Sequence, residues 1–266
     1  MGSLLRGTAF ITGAASGIGQ YTALSLAKYG IQRLALADLN TKSLASSIKA
    51  LKDQHPSIDV LPLPMNVQNA AEVRSSVLEA VKKYGRLDIA VNSAGIGGSG
   101  NKTHEIDEEE FARVVDVDLH GVWRCQKEQI SAMLKQEDLG PREGRGRIIN
   151  VASMFGLVAP GTYMSHTAYT AAKHGVIGLT KGDGNTYGPY GIRINAICPG
   201  YVATPLLVHS MDQTPDSPLT RDIAKTPLKR VAQMEEVGDA IAFLASPLSS
   251  FMQSSALVAD GGFIAE

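Results

Sequence analysis

The sequence predicts an α/β fold, a parallel sheet covered by helices on both faces, and three observations predict it. Short runs rich in aliphatic and β-branched residues alternate with helix-period segments along the chain, the pattern of repeated βαβ units. The runs show no strict two-residue alternation, as expected of strands buried on both sides. No proline- and glycine-rich linker or internal repeat interrupts the rhythm over 266 residues. Residues 1–266 therefore read as a single domain, long enough to bury one sizeable core.

In order, strands are predicted near 7–11, 33–37, 59–63, 87–91, 146–152, 192–198 and 256–260. Helical patterns fall between them at 17–29, 41–53, 69–84, about 107–135, 167–187 and 235–245. Three stretches depart from this rhythm. Gly95 to Thr103 is a Gly/Ser/Asn loop, and Glu137 to Arg145 is a charged turn around Pro141. Thr204 to Pro227 starts with the apolar Leu206-Leu207-Val208 and contains Pro215, Pro218 and Pro227. An insert of that length inside a compact domain is usually a mobile surface loop or a lid over a site.

Composition narrows the function classes. Apolar residues make up 44% and charged residues 19%, which suits a globular chain with much buried surface. The formal net charge is −1, with no basic block of the kind that meets nucleic acid or anionic lipid. No apolar run approaches the ~20 residues that span a bilayer. The start, Met1 to Arg6, is too short for a signal peptide before the first strand, and Arg6 stands where a myristoylation motif wants Ser or Thr. Two cysteines, Cys125 and Cys198, sit in apolar company. Neither a disulfide framework nor a metal site is expected, and the expected setting is a reducing cytoplasm. His120, His174 and His209 lack ligand spacing and read as structural.

Chemistry enters at the first βα junction, Thr12-Gly13-Ala14-Ala15-Ser16-Gly17-Ile18-Gly19. It follows a strand and opens a helix, the context a dinucleotide-binding turn needs. Gly13 permits the tight turn, Gly17 lets backbone approach a pyrophosphate, and Gly19 allows close helix–strand packing. The free N–H groups and dipole of the helix start then face the anion. Asp38 closes the second strand nineteen residues after Gly19. A carboxylate there can accept from both adenosine-ribose hydroxyls and repels a 2′-phosphate, while Ala15-Ser16 and Leu39-Asn40 supply no cation. NAD is favoured over NADP. The alternative is that Asp38 merely caps the helix starting near Thr41.

Further on, Tyr169 and Lys173 lie four residues apart, on one helix face. A phenol titrates near pH ~10, and an ammonium held beside it favours phenolate and lowers that value. The pair could serve as a general acid or base. Ser153 stands sixteen residues upstream of Tyr169.

Together these pieces resemble the short-chain dehydrogenase/reductase family, from Gly7 to Phe263. The family's T-G-x-x-x-G-x-G motif matches Thr12 to Gly19, and its N-N-A-G motif appears as Asn92-Ser93-Ala94-Gly95. The strand-end serine is Ser153, and Y-x-x-x-K is Tyr169 to Lys173. Pro199-Gly200 followed by Thr204, then Asp260-Gly261-Gly262, complete the series. The resemblance implies a Rossmann-type doubly wound parallel seven-stranded sheet in the order 3-2-1-4-5-6-7. It also implies hydride transfer between a nicotinamide and an alcohol or carbonyl carbon, and a homodimer or homotetramer.

By the same resemblance, Tyr169 would exchange a proton with the substrate oxygen and Ser153 would orient that oxygen. Lys173 would bind the nicotinamide ribose and lower the Tyr169 pKa. The implied cofactor set is Gly13, Ser16, Gly17, Ile18, Gly19, Asp38, Leu39, Asn66, Val67, Asn92, Ala94, Gly95, Tyr169, Lys173, Pro199, Gly200, Val202 and Thr204. Pro199 and Gly200 would line the nicotinamide, with Thr204 reaching its carboxamide or the phosphates.

The chain departs from the family in five places. Val117-Asp118-Leu119-His120-Gly121 has Asp118 where relatives carry an asparagine that holds a proton-relaying water at a helix distortion. Asp118 still accepts a hydrogen bond but donates none, and its charge keeps Lys173 charged while weakening that lysine's pull on the tyrosine. A retuned relay with intact chemistry is expected. Asn66 replaces an aspartate that contacts adenine, and Ser93 replaces the second motif asparagine. The spacing from Ser153 to Tyr169 is lengthened through Pro160 to His166, which is either a substrate-contacting loop or a solvated excursion. Gly182-Asp183-Gly184 interrupts a helix that in relatives packs against a second subunit, marking either close helix approach or an irregularity.

Substrate candidates are Met154, Tyr163, His166, Tyr201, Leu206 and Leu207. With Phe155, Val208 and Met211 they suggest an apolar secondary alcohol or ketone as the small-molecule partner, in primary or secondary metabolism. Two alternatives stay open: a same-fold lyase, isomerase or cyclase, and a non-catalytic dinucleotide-binding scaffold.

Overall fold

A computed structural model describes residues 3–162, 164–210 and 217–265. Seven strands form one sheet in the order β3-β2-β1-β4-β5-β6-β7, and every pairing is parallel. They are β1 (Thr8–Thr12), β2 (Arg33–Asp38), β3 (Asp59–Pro64), β4 (Ile89–Asn92), β5 (Gly146–Val151), β6 (Ile192–Pro199) and β7 (Ala256–Ala259). Each begins within two residues of its expected start. All residues of β1, β4 and β5 are buried, as continuous apolar runs require. β3 differs: Val60 and Leu63 are buried while Asp59, Pro62 and Pro64 are exposed. It lies at the sheet edge, where a proline's missing N–H costs no ladder bond.

The helices cover both faces. On one side α1 (Gly17–Lys28), α2 (Thr41–Gln54) and α9 (Met234–Ala245) bury Leu26, Leu51 and Ile241 against β1, β2 and β6. On the other, α3 (Ala70–Tyr84) and α5 (Gly121–Met133) bury Val77 and Met133, and α6 (Thr167–Tyr187) buries Val176. Local chemistry sets the ends. The Asn40 side chain caps α2 by accepting from Ser43 N–H at 3.0 Å, and Asn69 caps α3 through Ala71 N–H at 3.0 Å. Such caps are worth about 1 kcal/mol each. Gly85 stops α3 in the left-handed region, with φ 83°.

Two expectations change. The long helix expected over about 107–135 is α4 (Glu108–Val115), a π-helical turn over Asp116–His120, and α5. Gly182-Asp183-Gly184 does not interrupt α6, which runs unbroken to Tyr187. A Cβ on Gly184 would lie 2.3 Å from Ser254 Oγ, whereas one on Gly182 meets nothing within 4 Å. Gly184 is therefore a close-approach residue and Gly182 a plain helix glycine. Asp183 between them accepts from buried Gln126 at 2.7 Å.

The insert after β6 is partly helical, with α7 (Pro205–Ser210) and α8 (Pro218–Lys225). Its base is closed by Ala232 N–H to Tyr201 O at 2.8 Å and Ala203 N–H to Ala232 O at 3.0 Å. Met211 lies outside the described residues.

Candidate active site

The chain order reverses beside β1, whose sheet neighbours are β2 and β4. Helices leave in opposite directions there, so a crevice opens at the strand C-terminal ends, where α/β sheets bind ligands. A cleft of about 790 Å³ occupies this place, running from Gly13, Asp38 and Asn66 to Ser153, Tyr169 and Leu206. That volume suits a ligand larger than an ordinary metabolite.

At one end the turn after β1 is shaped by contacts that exclude side chains. Gly13 has φ 66° and a Cβ there would sit 2.9 Å from the backbone of Ala94, while one on Gly19 would sit 2.1 Å from Gly13 O. Thr12 Oγ1 accepts from Ser93 N–H at 3.0 Å and Ala94 N–H at 3.1 Å, fastening the β4 loop to this turn. Ser16, Gly17, Ile18 and Gly19 then line the cleft at the start of α1. Asp38 accepts from Ala15 N–H at 3.0 Å through one oxygen and from Asn40 N–H at 2.8 Å through the other. It does not cap α2, since Asn40 does. Its carboxylate is fixed at the cleft edge with lone pairs to spare. Leu39, Val67, Ala94 and Gly95 line the same end. Asn66 does too, although its amide oxygen already accepts from Gln68 N–H at 3.0 Å.

Asn92 departs from expectation. It does not line the cleft; its amide donates to Asn150 Oδ1 at 2.9 Å and exchanges bonds with Gln129 at 3.1 and 2.8 Å. Asn150 continues this buried network to Gln126 at 2.7 Å and Thr180 at 3.0 Å. Asn92 braces β4 against β5 rather than reaching a ligand.

At the other end Tyr169 and Lys173 share one face of α6, with the ammonium 5.3 Å from the phenol ring centroid. Lys173 is 4% exposed. Its Nζ donates to Val151 O at 3.2 Å and lies 3.2 Å from Asp118 Oδ2. Asp118 is fully buried on the π-helical turn, and its Oδ1 accepts from Ile96 N–H at 2.8 Å. Burial is the largest influence on Lys173 and acts to lower its pKa, but the Asp118 carboxylate and then Tyr169 more than offset it, so Lys173 titrates above its ordinary value. Burial pushes the Asp118 carboxyl up, with Lys173 opposing. Ser153 Oγ accepts from Phe155 N–H at 3.1 Å, which leaves its hydroxyl proton free to donate into the cleft. Cys198 lies nearby, but burial pushes its thiol up to about 11, so it is no thiolate nucleophile.

Pro199, Gly200, Val202 and Thr204 line the cleft beyond β6, and the substrate candidates Met154, His166, Tyr201, Leu206 and Leu207 line it too. Tyr163 lies outside the described residues. Of the two readings of the 160–166 stretch, the cleft-facing one holds for Met164, Ser165 and His166. Sequence reasoning missed Arg113, Leu219 and Asp222. Arg113 and Leu219 line the cleft, and buried Asp222 on α8 accepts the Tyr201 hydroxyl at 2.8 Å. Ser217 before Pro218 signals a helix start there, and indeed caps α8.

A fixed carboxylate, a glycine turn and a half-buried Tyr169 beside the buried Lys173 along one crevice suit a nicotinamide dinucleotide, and the comparisons agree. The family model described as Enoyl-(Acyl carrier protein) reductase matches residues 13–264. The chain belongs to the short-chain dehydrogenase/reductase family. It is 36% identical over 256 residues to the levodione reductase of Leifsonia aquatica, covering 95% of this chain and 92% of that one. It is 36% identical over 261 residues to the cyclohexanol dehydrogenase of an Acinetobacter species, covering 96% and 94%. A crystal structure of levodione reductase superposes with a TM-score of 0.89 at 34% identity, covering 97% of this chain and 98% of that chain. As a short-chain dehydrogenase/reductase it works with a nicotinamide cofactor. Among the described residues no helix is long and apolar enough to cross a membrane.

Proposed function

We propose that this protein is an NAD-dependent oxidoreductase of small apolar secondary alcohols and ketones, alicyclic ones included, acting from one domain. The observation that carries the reading is the single cleft joining the Asp38 carboxylate to the Ser153, Tyr169 and Lys173 cluster. Relatives named for levodione and cyclohexanol support the substrate class.

Gly13 to Gly19 would hold the pyrophosphate, Asp38 the adenosine ribose and Lys173 the nicotinamide ribose. The bound cofactor supplies or receives the hydride. The remaining steps belong to the chain. The Ser153 hydroxyl donates to the substrate carbonyl oxygen and fixes its direction. In reduction, the Tyr169 hydroxyl gives its proton to that oxygen as the carbonyl carbon becomes tetrahedral; in oxidation the phenolate takes the proton back. Lys173 stays charged through Asp118 and stabilises the negative phenol oxygen. Leu206, Leu207, Met154 and Phe155 form an apolar wall that keeps water from the reacting carbon. Asp38 disfavours a 2′-phosphate, whose charge would meet a carboxylate already held by two N–H groups.

The test is spectrophotometric: oxidation of NADH and of NADPH is followed with cyclohexanone and a straight-chain 2-ketone. Reduction with NADH at least tenfold more efficient than with NADPH is expected. NADPH preferred, or ketones ignored with both cofactors, would sink the proposal.

A further inference from the structure

The insert between β6 and α9 supplies part of the cleft wall, and a buried hydrogen bond ties it down. Ser217 and Leu219, at the start of α8, line the cleft, and Leu219 is 7% exposed. α8 is eight residues long, and a helix that short needs tertiary contacts to hold its place in water. Whatever anchors α8 decides where Leu219 stands.

Leu219 and Asp222 are three residues apart and share the inward face of α8, while Arg221, Ala224 and Lys225 are exposed. Asp222 is 1% exposed. Its Oδ2 accepts the Tyr201 hydroxyl at 2.8 Å, and its Oδ1 lies 3.7 Å from Lys225 Nζ. The Lys225 side chain is 57% exposed, so that pairing is screened and weak. A phenol hydroxyl donated to a buried carboxylate is the stronger bond. The inward turn of Asp222 follows Tyr201.

Tyr201 is itself held in place. Its carbonyl accepts from Ala232 N–H at 2.8 Å, at the base of the insert. Its ring meets Phe155 edge-on with centroids 6.3 Å apart, and Phe263 at 5.8 Å. Phe155 N–H in turn donates to Ser153 Oγ at 3.1 Å. The hydroxyl thus reaches α8 from a ring fixed beside the Ser153 segment.

We infer that Asp222 is a positioning residue: through the Tyr201 hydroxyl it docks α8 on the cleft and sets Leu219 against the apolar part of the substrate. This deepens the oxidoreductase reading and rests on it. Hydride and proton transfer do not pass through Asp222, so undocking α8 weakens substrate binding and leaves the chemical step in place. The effect grows with the apolar area of the substrate, because Leu219 offers contact and no polar side-chain atom.

The experiment measures KM and kcat for cyclohexanone and for the smaller acetone, with NADH and with NADPH. The enzymes are the wild type, Tyr201→Phe, Asp222→Asn and Asp222→Leu. Hydrogen–deuterium exchange of residues 218–225 is read on the same proteins by mass spectrometry. Tyr201→Phe keeps the ring and its edge-on neighbours and removes the donor. Its KM for cyclohexanone should rise by about tenfold, the effect of one lost apolar side-chain contact. Its kcat, and its KM for acetone, should change by less than about threefold, the pattern of lost uniform binding. Exchange at 218–225 should speed up while β1 and β4 stay protected, which also reports that the variant folds. Asp222→Leu should follow Tyr201→Phe, whereas Asp222→Asn, whose amide oxygen still accepts, should regain most of the wild-type KM.

An unchanged cyclohexanone KM or unchanged exchange at 218–225 in Tyr201→Phe would overturn the inference. So would a fall in kcat as large as the rise in KM, equal effects on acetone and cyclohexanone, or an Asp222→Asn variant no better than Asp222→Leu. In each of these outcomes the wild type still reduces a ketone and the oxidoreductase reading stands. If the wild type reduces no ketone with either cofactor, that reading and this inference fall together.

Discussion

The two ends of the cleft are built differently. The cofactor end is made by residues close in sequence. Thr12 to Gly19 form one turn, and Asp38 follows at the end of the neighbouring strand, locked by Ala15 and Asn40 N–H groups. The substrate end is assembled across the chain, from the 97–100 loop, residues 153–155, residues 164–169 and α7–α8. Its fastenings are side-chain contacts at long range, such as the Tyr201 hydroxyl to Asp222 and the Phe155 ring edge-on to Tyr201. A backbone-built end tolerates few changes and keeps one ligand. A side-chain-built end can be re-lined while the chemistry between the two ends stays fixed. Family relatives can thus share one cofactor end yet be named for different substrates.

Substitutions at Tyr169, between the two ends, should have the largest effect. Tyr169→Phe removes the proton donor, and kcat should fall by about 10³-fold, within the range for a lost general acid. NADH titration followed by fluorescence should show binding retained; loss of binding would move Tyr169 from chemistry to structure. Next is Gly184→Val, outside both ends. The new side chain meets Ser254 Oγ and the Ile194 carbonyl, and denaturant unfolding should show a loss of roughly 1–3 kcal/mol.

At the cofactor end, Asp38→Asn removes the charge that disfavours a 2′-phosphate. The ratio of NADH to NADPH efficiency should drop by about fivefold, one unit of charge interaction in a solvated cleft being worth about 1 kcal/mol. An unchanged ratio would mean that specificity is set elsewhere.

Asp118→Asn tests the join between the ends. The Asp118 carboxylate raises Lys173 against the opposing effect of burial. A group with a raised pKa keeps its proton to higher pH, so removing the carboxylate should let Lys173 lose its proton earlier. The alkaline limb of the kcat profile for ketone reduction should therefore move to lower pH, with the neutral-pH rate little changed. A limb that stays in place would deny Asp118 any part in tuning. The smallest effect is expected for Gly182→Ala, whose Cβ enters open space and which should stabilise the protein by about 1 kcal/mol.

The same contrast explains what could be read from sequence. The strands of the sheet and most of the helices were legible because their signals are local: apolar runs, caps at Asn40 and Asn69, and glycine at a stop. The cofactor turn was legible for the same reason. Asn92 was misread because a motif gives a position along β4 but not the face its side chain takes. That face is decided by Asn150 and Gln129, 58 and 37 residues away. Gly182 and Gly184 look alike in sequence, and only β6 and Ser254 packed against α6 tell them apart. Arg113, Leu219 and Asp222 reach the site through tertiary packing and carry no motif. The α8 start at Ser217-Pro218 was readable as a cap followed by proline, and was hidden by treating the whole 204–227 stretch as a loop. Asp118 was placed by its motif, whereas its direct pairing with Lys173 at 3.2 Å is a product of the π-helical turn.

The most direct test of hydride transfer at Tyr169 follows the hydrogen itself. Wild-type protein is incubated with cyclohexanone and reduced cofactor carrying deuterium at both positions of the nicotinamide C4, and the product is read by mass spectrometry. Cyclohexanol carrying deuterium on the carbinol carbon is expected from the wild type, with only traces from Tyr169→Phe. A product of unchanged oxidation state without label, or equal labelled product from both proteins, would contradict it.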